Sequence, residues 1–250
     1  MTLRFEKDGP AGHLVIDRAS QRNAFNHEMW AELPRILEQA AAERDLRLLI
    51  VRAADGGAFC AGADIKELLA NKDDAEWRAA NQKAINRAQF ELARFALPTI
   101  AFVQGDCVGG GCGIALACDL RVAAPAARFG ITPAKLGIVY PFHDVKLLVD
   151  LVGPGQAKRI LFTGSLIGAE EALRIGLVEM LGDDLQMLTA SILSASAHSN
   201  RENKLFVRRV LDGQSGEDCD TAGIFAAAFE GADFHEGAAA FVEKRVPDFG

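Results

Sequence analysis

The chain is expected to adopt an α/β fold that is strand-rich at its start and helical at its end. Three features of the sequence lead there. The N-terminus alternates apolar and polar residues on both sides of a glycine–proline turn. Apolar strand patterns then recur, each followed by a small-residue turn and a helical pattern. From Pro141 onward the periodicity is almost entirely helical. No Pro/Ser-rich linker interrupts the 250 residues, so one domain is expected: a core over residues 1–195 and a helical region over 196–250 belonging to the same domain.

Taken in order, Leu3–Glu6 and His13–Asp17 form the hairpin, separated by Asp8-Gly9-Pro10-Ala11-Gly12. Asn26 stands as the N-cap of a helix running to Glu43, with Met29, Leu33, Ile36, Leu37 and Ala40 on one face. Leu46–Ala53 reads as a buried strand. Helix formers then run from Asp74 to Phe95 and stop ahead of Pro98, whose ring disfavours a helical residue before it. Thr99–Val103 and Asp119–Ala123 are further strands. Leu147, Leu148, Leu151 and Val152 make one late helical stripe, Ala157, Ile160 and Leu161 another, and Gly213-Gln214-Ser215-Gly216 separates two helices.

Half of the residues are apolar and the formal net charge is −7. Dispersed Lys and Arg with an acidic balance argue against nucleic acid, which needs concentrated positive charge. The apolar runs are far shorter than a membrane span, and the charged N-terminus MTLRFEKDG lacks the pattern of a signal sequence. Five cysteines include the neighbours Cys107, Cys112 and Cys118, but no His accompanies them and their spacing fits no zinc template. Small buried thiols in a reduced, cytoplasmic protein are expected, with no metal.

Two segments carry the chemistry: AFCAGADIKEL, Ala58–Leu68, and GDCVGGGCGIALACDLRVAA, Gly105–Ala124. A strand, a glycine turn and a helix start leave backbone N–H groups free to point at a ligand, reinforced by the helix dipole. Two such groups converging from separate turns would stabilise negative charge on a carbonyl oxygen.

With RNAFN at Arg22–Asn26, FTG at Phe162–Gly164, EALRIGLV at Glu171–Val178 and FVEKRVPDF near the end, the two segments resemble the crotonase (enoyl-CoA hydratase/isomerase) superfamily over nearly the whole chain. The resemblance implies a crotonase-like spiral of ββα units, a helical C-terminal trimerisation region, and a homo-oligomer, trimer or hexamer. It also implies an acyl-CoA thioester substrate, with coenzyme A as part of the substrate and no separate cofactor. By motif position the oxyanion hole would be the backbone N–H groups of Ala63 and Gly110. The adenine would lie against the backbone near Ala61, Ala63 and Ile65. Lys66 and, from a neighbouring subunit, Phe241 and Lys244 would stand near the nucleotide.

The chain departs from the hydratases of that family at both catalytic glutamates, which act there as base and acid. Gly113 follows GGGC where one is expected, and Pro133 stands at the other. In their place, FGITPAKLGIVYPFHD resembles the TP-x-x-LG-x-x-Y pattern of the methylmalonyl-CoA decarboxylase branch, although that branch carries His where this chain has Ala63. Thr132 and Tyr140 would then face the acyl end. His143, whose side-chain type titrates near neutrality, is a candidate proton donor, and Asp106 a lesser one. Asp144 is expected chiefly to cap the next helix, and Asp119 to hold nearby backbone. Three readings follow: an enolate-forming enzyme such as a (methyl)malonyl-CoA decarboxylase-like lyase; an atypical hydratase or isomerase of acyl-CoA or fatty-acid degradation, using His143, Asp144 or Asp106; and a non-catalytic acyl-CoA-binding subunit.

Overall fold

In the computed structural model, which describes residues 2–249, the N-terminal hairpin starts the main sheet. β1 (Leu3–Asp8) pairs antiparallel with β2 (Ala11–Ile16) through a turn in which Gly9 takes a φ of +56°. A short 3₁₀ turn at Ala19–Gln21 leads to α1 (His27–Ala42). Asn26 caps α1 as expected, its side chain accepting from Met29 N at 3.0 Å. Met29, Trp30, Leu33, Ile36, Leu37 and Ala40 are buried along its inner face.

β3 (Leu48–Ala53) follows, then α2 (Ile65–Ala70) and α3 (Ala75–Ala93). β4 (Thr99–Val103) and β5 (Asp106–Val108) precede α4 (Gly110–Ala117), β6 (Leu120–Ala123) and β7 (Arg128–Gly130). A 3₁₀ turn at Pro133–Leu136 leads to α5 (Phe142–Thr163), which is interrupted at Gly153, where φ is +70°. β8 (Ile167–Gly168), α6 (Ala169–Arg174) and β9 (Met180–Leu181) complete the first of two compact units, which runs to Phe95 and over Thr99–Leu185.

The six-stranded sheet has the order β1-β2-β3-β4-β6-β9, parallel throughout except for the hairpin. A smaller sheet, β5-β7-β8, carries the second glycine segment. The sequences of β3 and β4 are near-continuous apolar runs because both faces of these strands are covered. Asp119 does hold backbone: it accepts from Thr99 N at 2.7 Å and from Thr99 Oγ1 at 2.9 Å, tying the starts of β4 and β6 together. Arg121, 2% exposed, fastens β6 to the β9 segment through Leu177 O, Cys118 O and the Glu179 carboxylate.

The second unit comprises Ala96–Pro98 and the chain from Gln186 onward. It contains α7 (Gln186–Ser194), α8 (Ala197–Leu211), α9 (Cys219–Ala228) and α10 (Ala232–Glu243). The Asn200 amide donates to Ile192 O at 3.2 Å, binding α7 to α8. Ser196 caps α8, and Asp218 with Thr221 forms a capping box on α9. Phe225, Phe229 and Phe234 stack edge-on in sequence, with ring separations of 5.4 and 5.1 Å.

Candidate active site

Hydrogen bonding sets the direction of the first glycine turn. Phe25 N donates to Gly62 O and Asp64 N to Phe25 O, both at 2.8 Å, so the residues on either side of Ala63 face α1. Peptide groups alternate along an extended chain, which turns the N–H of Ala63 itself the other way. Gly62 has a φ of +98°, and a Cβ there would lie 2.9 Å from Val108 O, so glycine is required twice over.

The second turn meets the first. Cys60 N donates to Asp106 O at 3.1 Å and Val108 N to Cys60 O at 2.9 Å, which brings the two glycine segments side by side. Gly109, with a φ of +54°, turns the chain into α4, and Gly110 begins the helix with an N–H that has no intrahelical acceptor. A Cβ on Gly110 would stand 3.7 Å from Ala63 N and 3.0 Å from the Trp30 ring. Ala63 and Gly110, the donors expected from sequence, thus lie side by side at the positive end of α4.

Gly113 lies one helical turn further along the same face. A side chain there would overlap the amide nitrogen of Gln89 and come within 2.7 Å of Asp144 Oδ2. The volume that a side chain at position 113 would take is thus occupied by a carboxyl reaching in from α5 and an amide from α3. Asp144 is no helix cap, which corrects the expectation: α5 begins at Phe142 after Pro141 with no side-chain cap bond, and Asp144 is fully buried in its first turn. Burial pushes its pKa up from the usual 3.8, opposed by its neighbours His143, Gln89 and Tyr140. Its Oδ2 and both amide atoms of Gln89 are buried without a hydrogen-bond partner of good geometry.

Of the other candidates, His143 stays at the site, its Nδ1 3.4 Å from Asp144 Oδ1. Its half-buried ring borders a cleft lined by Gln82, Asn86, Phe90, Pro141 and Phe142. Tyr140 differs from expectation. It is buried, and its hydroxyl donates to Gly109 O at 3.0 Å, so it buttresses the glycine turn where an acyl-facing hydroxyl was expected. Burial and the nearby Asp144 charge raise its pKa well above the usual 10. Thr132 is half-buried at the head of the Pro133–Leu136 turn and makes no capping bond.

Asp106 is removed from consideration as a base. It is ion-paired with Arg128 at 2.7 Å and with Arg22, and hydrogen bonding to Arg128 foremost holds its pKa below 3.8. Cys60, Cys107, Cys112 and Cys118 are buried and Cys219 is exposed; burial pushes the Cys60 thiol up to about 12. Ala61 and Ala63 are half-buried on the rim of the first turn, with Ile65 and Lys66 exposed at the start of α2. Phe241 and Lys244 belong to the second unit, both exposed, with Lys244 closing α10 at a φ of +56°.

Sequence reasoning missed Gln89 and Trp30. Gln89 was visible in principle: Asn81 and Gln89 are polar residues on the buried stripe of α3, two turns apart with Leu92 beyond. The indole Nε1 of Trp30 is likewise buried without a partner beside Gly110.

Parallel strands, two adjoining glycine turns and a buried acid beside the start of α4 make a compact candidate site. The sequence profile of the enoyl-CoA hydratase/isomerase family matches residues 11–250, and the chain belongs to that family. It is 33% identical over 257 aligned residues to the crotonyl-CoA hydratase of Syntrophomonas wolfei, covering 98% of this chain and 96% of that one. Human enoyl-CoA hydratase domain-containing protein 2, mitochondrial, is 33% identical, with 94% and 84% covered. The crystal structure of an enoyl-CoA hydratase/isomerase family protein from Hyphomonas neptunium superposes with a TM-score of 0.96 at 36% identity, covering 100% of this chain and 98% of that one. Among the described residues, no helix is long and apolar enough to cross a membrane.

Proposed function

We propose that the protein binds acyl thioesters of coenzyme A and moves a proton at the carbon beside the thioester carbonyl. The Ala63 and Gly110 N–H groups would hold the enolate oxygen, and the Asp144 carboxyl would carry the proton. The observation behind this reading is the reach of Asp144 Oδ2 into the volume above Gly113. A buried carboxyl with a raised pKa is a stronger base when ionised and holds its proton to higher pH. Hydration needs both a base and an acid on one water. A single carboxyl suits a proton shift along the acyl chain, or protonation of an enolate formed in another way.

Decarboxylation of a malonyl or methylmalonyl thioester is the second reading. It needs the enolate hole but no base to start it. The half-buried Thr132, free of a capping bond, favours it; the engagement of Tyr140 with Gly109 O leaves Thr132 as the hydroxyl at that end. In either reading the nucleotide would lie along Ala61, Ala63 and Ile65 with Lys66 beside it. Phe241 and Lys244 would come from a neighbouring copy in a trimer or hexamer, a role supported by the 85% exposure of Phe241 and 80% exposure of Val242.

The test is deuterium incorporation into butyryl-CoA in heavy water, run beside carbon dioxide release from malonyl-CoA and methylmalonyl-CoA. Exchange should occur at the carbon next to the carbonyl and fall by about 10²- to 10⁴-fold in Asp144→Asn, the usual contribution of a positioned acid–base. Exchange that survives Asp144→Asn undiminished would sink the proton-carrier role. Carbon dioxide release independent of Asp144 would select the decarboxylase. A wild-type protein that binds acyl-CoA and does neither is the binding subunit.

A further inference from the structure

Two of the buried cysteines lie against the two glycine turns. Cys60, 0% exposed, accepts from Gly62 N at 3.4 Å, and its Sγ lies 3.8 Å from Gly62 O. A side chain that accepts from the N–H two residues on is how Asp, Asn, Ser and Thr fix turns. Here a thiol does so and gives a partner to a buried backbone donor. Gly62 O shares one peptide plane with the Ala63 N–H, so whatever holds Gly62 also sets the first donor. Cys112 acts on the second turn. Its thiol donates to Cys107 O at 2.9 Å and lies 3.4 Å from Gly130 O, which also accepts from Gly109 N at 2.8 Å. The first turn of α4 is thereby tied to β5 and β7 on either side of Gly109, whose φ of +54° aims the Gly110 N–H.

The two segments also press on each other. A Cβ on Gly111 would stand 2.4 Å from Cys60 O and 2.7 Å from Cys60 Cβ, so the start of α4 rests directly on the Cys60 segment. Burial pushes the Cys60 thiol up to about 12, so it stays protonated at neutral pH and is inert as a nucleophile. We propose that Cys60 and Cys112 are positioning residues, each thiol holding one of the two N–H donors, Ala63 and Gly110, on the thioester oxygen. Cys118 supplies the contrast. It is equally buried, but its thiol donates to Ile114 O at 3.5 Å, at the far end of α4. This inference rests on the acyl-thioester reading of the same site, not on its proton chemistry.

Infrared difference spectra of the full-length protein with butyryl-CoA, labelled with carbon-13 at the thioester carbonyl, read the donors directly. On binding to the wild type the carbonyl stretch should move to lower frequency, because hydrogen bonds to the oxygen weaken the C=O bond. Cys60→Ala and Cys112→Ala should each lose part of that shift. Turnover in deuterium exchange should fall by about ten-fold with KM within about two-fold, as for a hydrogen bond that counts mainly in the transition state. Cys60→Ser keeps an acceptor two residues before Gly62 N and should recover most of the shift. Cys118→Ala, an equal loss of buried sulfur, should leave shift and turnover unchanged. If one of the two turn variants fails to fold, the other still reads its own turn. A full shift in both Cys60→Ala and Cys112→Ala, or an equal loss in Cys118→Ala, would overturn the positioning role. Absence of any shift in the wild type would remove the oxyanion hole and the role of the thiols with it. A shift that follows the two thiols, in a protein showing neither exchange nor carbon dioxide release, would defeat the proton chemistry and leave the positioning role standing.

Discussion

Two carboxyl groups in the first unit, Asp106 at 9% exposure and Asp144 at 0%, are held in opposite ways. Asp106, at the start of β5, is gripped by Arg128 through two hydrogen bonds of 2.7 and 2.9 Å and by Arg22. Its pKa is held down, and it fastens the Arg22 turn to β7. Asp144, in the first turn of α5, lies beside the His143 ring, the Gln89 amide and the Tyr140 hydroxyl. Its pKa is pushed up. Depth and company differ together: hydrogen bonding to Arg128 dominates at Asp106, and desolvation dominates at Asp144. A carboxylate neutralised by two guanidiniums is a rivet, whereas one desolvated beside a neutral amide keeps its proton to higher pH, as the proposed proton-carrier role requires.

The largest effect that would break this contrast is expected at Gly113. Gly113→Glu puts a carboxylate where the family resemblance implies a catalytic glutamate, yet it should bring no hydration of crotonyl-CoA. The new side chain would overlap Gln89 Nε2 and press on Asp144 Oδ2. Overpacking of this kind costs about 1–3 kcal/mol, and two carboxyls forced together add repulsion. Loss of the enoyl absorbance should stay at background and the melting temperature should fall by several degrees, at about 2–4 °C per kcal/mol for a chain of this size. A variant that hydrates crotonyl-CoA and melts with the wild type would mean that the space is open and Asp144 does not fill it.

The middle effect concerns the link between the acid and the oxyanion turn. The Tyr140 hydroxyl donates to Gly109 O, and Gly109 sets the direction of the Gly110 N–H. Tyr140→Phe should lower turnover in deuterium exchange by about ten-fold with little change in KM, since one net hydrogen bond of about 0.5–1.5 kcal/mol is lost. If instead carbon dioxide release from malonyl-CoA falls while exchange is untouched, Tyr140 touches the substrate carboxylate and the buttress assignment is wrong.

The sequence made the frame legible and part of the site. Asn26 before an apolar stripe, Thr99–Val103 after Pro98, and the two glycine segments all carry local signals strong enough to survive folding: a cap, a breaker, and backbone conformations that favour glycine. Each glycine turn is locally coded, while the meeting of Ala63 and Gly110 depends on the Cys60 and Asp106 backbone bonds between the segments. What stayed hidden depends on tertiary packing. Gly113 and Pro133 told only that two carboxylates were missing, and nothing near Gly113 in sequence announces that residues 89 and 144 arrive over it. Asp144 follows Tyr140-Pro141-Phe142-His143 as a helix cap would, and only the start of α5 at Phe142 turns its side chain inward. The TP-x-x-LG-x-x-Y resemblance implies a substrate-facing Tyr140, but nothing in that pattern tells which carbonyl its hydroxyl meets.

The smallest and most discriminating effect is the pH dependence of stability in two parallel variants. The folded pKa of Asp106 lies below its ordinary 3.8, so folding is favoured by its ionisation. That contribution is present above pH 3.8 and is lost as pH falls through the depressed folded value. Asp106→Asn should therefore melt below wild type at pH 7 and converge with it in acid. The gap should be about 1 kcal/mol, because Arg22 and Arg128 are 65% and 55% exposed and solvent screens the pairs. For Asp144 the sign reverses. Its folded pKa lies above 3.8, so the folded protein binds the extra proton and wild-type stability declines as pH rises from 3.8 through the raised value. Asp144→Asn carries no such penalty; it should match wild type near pH 3.8 and gain on it toward neutrality. Thermal melts of the three proteins from acid to neutral pH would then diverge in opposite directions from a common acid limit. Curves for the two variants that move together would mean that the two carboxyls share one kind of environment, and the distinction between rivet and proton carrier would be lost.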